Sequence, residues 1–370
     1  MSLPALFVSH QHSLQGPQGG QQTCTLEYWR VLEAAGFSLT KVCYETPRDF
    51  ATRVLRKINN RPYLYQSPKD LPERIRAAFQ RLKPKFIFFN LNDTISLAAE
   101  LQDLPVKKVL LSHGFASVDR LHENRISGSV WSSSGLRTIA WQLETESSGI
   151  PFFDHVFCLS ETELQIARWL GATSVGWLPR VIEPDFLETS PEGKRLGCIG
   201  TMDHPPNREG MELFLQNLVK VPSWHGQVCL ISRSEAACKK WASRYRFVEF
   251  LGPLGDEAAR KEASTWNAFL HPIFCHAMGC STKLATGIRW GLPLVTSEAG
   301  ARGYQLKSNW VSLSNKPMEM ARYAASLLEP NNYSMEKEKT RLWAQAGPSV
   351  SQVAEMAKKQ LEPMVKCSCP

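Results

Sequence analysis

Phe269-Leu270-His271-Pro272-Ile273-Phe274 leads into Gly279-Cys280-Ser281-Thr282-Lys283, and a helix-length segment then precedes Gly291-Leu292-Pro293-Leu294-Val295-Thr296-Ser297. Leu270 to Phe274 reads as an apolar strand running to the edge of a parallel sheet. Gly279 to Lys283 then opens a helix whose first N–H groups have no partner and which carries a cation near its start, an arrangement suited to a diphosphate. That helix is expected to end near Gly291, because Pro293 blocks its continuation. Leu294 to Thr296 begin another buried strand that leads into the segment 297–303.

The same alternation extends in both directions. Towards the N-terminus, Ala5 to Val8, Leu39 to Tyr44, Phe86 to Asn90, Lys108 to Ser112 and His155 to Leu159 are short apolar runs that read as strands. Between them lie a Gly/Gln-rich loop at 16–22, a helix from about Thr23 to Ala35 stopped by Gly36, and helical spacing over Leu71–Leu82 and Thr94–Leu101. Ser160-Glu161-Thr162-Glu163 has the form of a capping box for a helix ending near Gly171. A polar stretch from Val181 to Lys194 reads as an interdomain linker. A second series follows it, with strands at Leu196–Ile199, Gln227–Ser232, Val248–Leu251, Ala268–His271 and Pro293–Ser297 and a helix at about Glu209–Leu218. After Lys316 the chain looks helical. This is the pattern of βαβ units around two parallel sheets.

Composition agrees. A chain of 370 residues is too long for one core, so two domains of roughly 150–200 residues are expected. With 43% hydrophobic and 21% charged residues it is globular, and no run of about 18 apolar residues suggests a membrane span. No signal-peptide pattern is present, so a cytoplasmic location is expected. Ten scattered cysteines, several inside apolar runs, suit buried reduced thiols better than a disulfide framework. Cys275, His276 and Cys280, and the pair Cys367 and Cys369, lack the paired spacing of a zinc site, so no metal is expected. A net charge of +8 favours anionic partners, such as a nucleotide diphosphate, an anionic membrane surface or nucleic acid, and does not choose among them. The eleven tryptophans are dispersed through helix and strand segments, which favours packing over nucleic-acid stacking.

The chain resembles the group 1, family 4-like retaining glycosyltransferases of the GT-B fold. The pieces that carry the resemblance are Gly19-Gly20 before the first helix, Val156 to Ser160 with its helix, Leu178-Pro179, Gly200 to Asp203 with Pro206 to Gly210, Val248 to Gly252, and Lys283 to Gly303. Together they span nearly the whole chain. The resemblance implies an α/β protein of two facing, doubly wound Rossmann-like domains with a C-terminal helix packing across both. The implied boundaries are 1–185 for the acceptor-side domain, 186–345 for the nucleotide-sugar domain and 346–370 for the returning helix. It also implies transfer of a hexose from a nucleotide sugar to a glycan, glycolipid or small-molecule hydroxyl with retention of configuration. The nucleotide-diphosphate sugar is then a co-substrate, and neither cofactor nor metal is required.

By the same resemblance Gly200 and Thr201 end a strand and face the diphosphate, and Lys283 or Arg208 neutralises it. Lys283 is preferred because Gly279, Ser281 and Thr282 lie beside it; its plainer role is a helix-start lysine with its head in water. Ser232 and Arg233 line the site, and Leu251 with its neighbours holds the base or is simply buried strand. Gly19 and Gly20 allow a close approach to the ligand, because glycine lacks a Cβ, or form an ordinary turn. His113, past a strand end, hydrogen-bonds the transferred sugar or is a structural histidine. Ser160 and Glu161 touch the donor or cap a helix.

One departure stands out. The family usually carries two glutamates eight residues apart around this turn, the second binding the ribose, and here Met278 and Thr286 hold those positions. Neither ionises. A different donor, rescue by an acid such as Glu298, and loss of catalysis all remain open, so a catalytically silent GT-B-like module that binds a glycan or protein is the alternative reading. An inverting enzyme would instead need a base, for which His113, His10 and Asp93 are candidates.

Overall fold

The computed structural model describes residues 2–366 apart from 16–18, 60–65, 127–131, 192, 276–278 and 306–312. The departure at Met278, His276 and the two C-terminal cysteines therefore lie outside the described residues. The chain forms two compact units. The first holds residues up to Val181 together with Gly279, Cys280 and the C-terminal helix, and the second holds the rest from Ile182 to Gly347.

In the first unit six parallel strands, β1 (Leu3–His10), β2 (Phe37–Tyr44), β3 (Phe86–Asn90), β4 (Lys107–Leu111), β5 (His155–Cys158) and β6 (Val175–Trp177), lie in the order β2-β1-β3-β4-β5-β6. Phe86 to Phe89 are apolar without interruption because helices cover both faces of a parallel sheet. Ile87 and Phe89 pack with Leu6, Val8 and Leu110 on one face. On the other, Phe86 and Phe88 meet Phe37 edge-on at 5.4 and 5.0 Å.

In the second unit β7 (Arg195–Ile199), β8 (Gln227–Ile231), β9 (Val248–Gly252), β10 (Trp266–His271) and β11 (Leu294–Thr296) lie in the order β11-β10-β7-β8-β9. Leu196, Leu230, Ala268 and Leu270 face one core, and Cys229, Ile231, Phe269 and Leu294 face the other. Each sheet has one place where the strand order reverses. These switch points lie between β1 and β3 and between β7 and β10, and the carboxyl ends of strands there open the crevices in which doubly wound proteins bind ligands.

Some expectations shift. The strand expected to reach Phe274 stops at His271, because Pro272 has no N–H to continue the ladder. The helix expected over 94–101 is two single turns, Asn92–Thr94 and Leu97–Glu100. Helices Ala116–Ile126 and Ser133–Gly149 lie between β4 and β5, where the sequence pattern predicts none. The polar stretch read as a linker is laid down on the second unit, its Asp185 and Leu187 N–H groups donating to the carbonyls of Arg289 and Trp290 at 2.8 and 3.0 Å. Of the three helices after Lys316, Pro317–Ser326 packs on Pro205–Leu218 in the second unit, and Val350–Lys366 packs on Gly20–Ala34 in the first.

Candidate functional site

In the second unit the switch point brings Gly200, one residue past β7, against Lys283, the second residue of helix Thr282–Trp290. A Cβ on Gly200 would stand 2.4 Å from Lys283 Cε and 2.8 Å from Nζ. The backbone at Gly200 has φ +149°, a conformation open to glycine, so the strand end takes its turn and leaves room for the lysine stem at the same residue. Cys198, Met202, Asn207, His271, Ile273 and Lys283 line a small cavity there.

Burial pushes the Lys283 ammonium below its usual pKa, partly offset by the Cys198 thiol beside it, which burial raises to about 12. No carboxylate pairs with Lys283 among the described residues. The ammonium is therefore not neutralised by a side chain among the described residues. The helix start adds to this, because the N–H groups of Thr282 and Lys283 have no acceptor among the described residues, while Ser281 caps the helix by accepting from Leu284 N–H at 3.3 Å.

His271, at the end of β10, fixes that cap. Thr296 Oγ1 donates to the His271 carbonyl at 2.9 Å and so accepts from Nδ1–H at 3.2 Å, which leaves Nε2 to accept from Ser281 Oγ–H at 2.8 Å. Burial and the nearby Lys283 and Arg302 hold His271 well below the usual histidine pKa, hence neutral. Tyr304 O–H donates to the Ser281 carbonyl. The Ser281 hydroxyl is thus engaged at both ends, and what the turn offers an anion is backbone N–H groups and Lys283. Sequence reasoning missed His271; its one legible signal is a polar residue closing an otherwise apolar strand.

The other predicted residues of this unit separate into groups. Thr201 is exposed at the same edge, its hydroxyl 2.9 Å from Ser234 Oγ. Arg208 and Arg233 are exposed, with Arg208 3.8 Å from Glu209. Ser232 is buried, and its Oγ accepts from Ser234 N–H at 3.0 Å. Leu251 lies half-buried in edge strand β9. Thr286 turns its hydroxyl back to the carbonyl of Thr282 at 3.3 Å. Glu298 is exposed and exchanges hydrogen bonds with Asn315 at 2.8 and 3.0 Å.

In the first unit His113 follows β4, its Nε2 2.9 Å from Asn90 Oδ1 at the end of β3 and its ring 5.6 Å from that of Tyr28. Burial, with Arg180 nearby, lowers its pKa to about 3. Gly19 caps helix Gly20–Ala34, and both glycines are exposed. Ser160 accepts from Glu163 N–H at 3.3 Å, but the Glu163 carboxylate accepts from Leu159 N–H at 3.2 Å and Gly279 N–H at 2.8 Å. The amide of Gly279 is therefore engaged by a carboxylate. Gly279 has φ +63°, and a Cβ on it would stand 2.5 Å from the His113 carbonyl oxygen. His10 accepts from His12 N–H at Nδ1 (3.1 Å) and meets Thr46 Oγ1 at Nε2 (3.1 Å), which makes it a helix cap. Burial raises the pKa of the Asp93 carboxyl. The eight described cysteines form no disulfide. Among the described residues no cluster of three metal-ligating side chains occurs and no helix is long and apolar enough to cross a membrane.

Residues 193–330, somewhat over a third of the chain and containing the Gly200–Lys283 site, match the family model described as "Glycosyl transferases group 1". No curated protein matches the sequence. Sucrose-phosphate synthase of Thermosynechococcus elongatus is similar in structure, with a TM-score of 0.71 at 15% identity over 99% of this chain and 100% of that one. HepE of Anabaena, solved with UDP-glucose, has a TM-score of 0.66 at 13% identity over 98% and 100%. A mutant of S. aureus TarM, in complex with Fondaparinux, alpha-GlcNAc-glycerol and UDP, gives 0.56 at 12% over 74% and 55%. The fold is GT-B.

Proposed function

We propose that this protein transfers a hexose from a nucleotide-diphosphate sugar to a hydroxyl of a glycan, glycolipid or small molecule. The observation that carries the reading is Lys283: a half-buried cation with no carboxylate partner among the described residues, at the start of a helix with open N–H groups, at the switch point of a sheet whose residues match the group 1 family model. Such a site takes a diphosphate. Arg233, exposed just past β8, and Arg208, exposed in helix Pro205–Leu218, add positive charge.

Retention of configuration is part of the proposal. The bond from the sugar C1 to the phosphate oxygen breaks, the bond from C1 to the acceptor oxygen forms on the same face, and the acceptor's proton passes to the leaving phosphate. No metal is invoked, because Lys283 and the helix N–H groups supply positive charge where the diphosphate departs. UDP is the first nucleotide to test, since HepE and TarM were solved with UDP or its sugar. Reduced thiols accord with the reducing cytoplasm. Exposed Phe50 and Leu55 beside exposed Arg53 support peripheral contact with an anionic membrane, testable by vesicle co-sedimentation.

One observation favours the silent binding module instead: Thr286 bonds its own helix and brings no charge to a ribose. Thermal shift against UDP, GDP, dTDP, ADP and their sugar conjugates, repeated with Lys283→Ala, separates the two. Stabilisation by one nucleotide that is lost in the variant is expected. No shift with any of them refutes the donor site.

A further inference from the structure

The other switch point, between β1 and β3, carries a buried polar chain that the donor site does not use. Asn90 closes the apolar run of β3 and is fully buried. Its Nδ2 lies 3.0 Å from Ser9 Oγ and 3.0 Å from Thr25 Oγ1. Ser9 gives its only hydroxyl proton to the carbonyl of His10 at 3.3 Å, so towards Asn90 it can only accept. That orients the amide. Both N–H bonds of Asn90 point at hydroxyl oxygens, and Oδ1 is left to face His113 Nε2 at 2.9 Å. A carbonyl oxygen accepts, so Nε2 carries the proton, and in a neutral imidazole Nδ1 then holds the lone pair. Nδ1 has no hydrogen-bond partner among the described residues. Around the ring, Tyr28 from helix Gly20–Ala34 packs at 5.6 Å while its O–H donates to the Ser112 carbonyl at 2.9 Å. Arg180, after β6, is the charged group that bears on the ring, and its positive field disfavours a second proton.

We infer that Asn90 is a positioning residue: with Ser9 and Thr25 it holds His113 as the Nε2–H tautomer, so that Nδ1 accepts a hydrogen bond from a carbohydrate hydroxyl. The identity of the ligand rests on the proposed function, whereas the tautomer does not. A neutral nitrogen acceptor orients a hydroxyl over the whole physiological pH range, where a titrating histidine would turn from acceptor to donor.

The test uses the full chain labelled with 15N at histidine, with His113 assigned by the signals missing in His113→Gln. Long-range 1H–15N spectra from pH 5 to 9 are expected to show the Nε2–H pattern throughout. An Nδ1–H pattern, or a titration midpoint near the ordinary histidine value, overturns the inference. Asn90→Asp places an opposite charge against Nε2 and is expected to raise the midpoint far enough for protonated His113 to be seen at the acid end of that pH range; a folded variant with an unchanged His113 overturns the role of Asn90. If that variant does not fold, Ser9→Ala removes the acceptor that orients the amide and is expected to bring in a second tautomer, and an unmixed spectrum there counts against the chain of bonds. UDP-glucose is then added to the wild-type protein. Movement of the Nδ1 resonance supports hydroxyl recognition, and stabilisation by UDP-glucose with Nδ1 unmoved overturns it. No stabilisation at all overturns the donor reading and leaves the tautomer result standing.

Discussion

Gly200→Ala tests whether the donor site works through Lys283. The added Cβ would lie 2.4 Å from Cε and 2.8 Å from both Cδ and Nζ, where carbon contacts need about 3.5–4.0 Å. The atoms met belong to a flexible tail, so the lysine swings away by about 1 Å or more and the sheet stays intact. Displacing the ammonium removes one charge-assisted hydrogen bond to a diphosphate, about 1.5–3 kcal/mol, which at 1.4 kcal/mol per tenfold weakens UDP about 10- to 150-fold. The φ of +149° adds backbone strain of about 1–3 kcal/mol, which appears in the melting temperature of the unliganded variant and is thereby separated from binding. Calorimetric titration of UDP into wild type, Gly200→Ala, Lys283→Ala and the double variant completes a cycle. The double variant is expected to bind no more weakly than Lys283→Ala, because no ammonium remains to displace. Full additivity, or unchanged UDP binding in Gly200→Ala, refutes the argument.

Stability is expected to fall on mild acidification. His113 and His155, held neutral with pKa values of about 3 and 4, bind fewer protons folded than unfolded, so their contribution is complete above the unfolded value near 6.5 and is lost as pH falls from there towards 4 and 3. At pH 5 each accounts for at most about 2 kcal/mol, and a melting temperature that is flat between pH 7 and 5 counts against it. Arg195→Met strands Glu249 and Glu262, which the guanidinium holds at 3.0 and 2.6 Å, and is expected to cost about 2 kcal/mol at pH 7. A urea midpoint at pH 7 equal to that of wild type would sink this account. Gly279→Ala combines a left-handed φ with a 2.5 Å approach to a backbone carbonyl, and a loss of about 2–5 kcal/mol is expected by urea denaturation. A loss under about 1 kcal/mol would mean that the turn relaxes freely.

Much of the secondary structure was legible because its causes are local. Phe86 to Phe89 read as a buried strand because a parallel sheet covered on both faces demands continuous apolar residues, and Gly291 with Pro293 marked the end of a helix by backbone sterics alone. Lys283 stood out for a similar reason, since a helix start with a cation is written in consecutive residues. Whether Ser281 faces the ligand was not legible. Its hydroxyl is taken by His271, which depends on where β10 ends and on the Thr296 that β11 brings beside it. Nor was the amide of Gly279 legible as the partner of Glu163, 116 residues away. Asn90 showed only as a polar residue closing a strand. It joins Ser9 to His113 because the strand order sets β3 between β1, which brings Ser9, and β4, which leads to His113. The amino-acid sequence by itself determined the elements, their alternation and the chemistry available at their ends, because propensity, capping and periodicity act over a few residues. Tertiary structure alone decided which donors and acceptors satisfy one another and which, like Lys283 and Nδ1 of His113, have no partner among the described residues, because hydrogen-bond partnership depends on the lateral order of strands far apart in the chain.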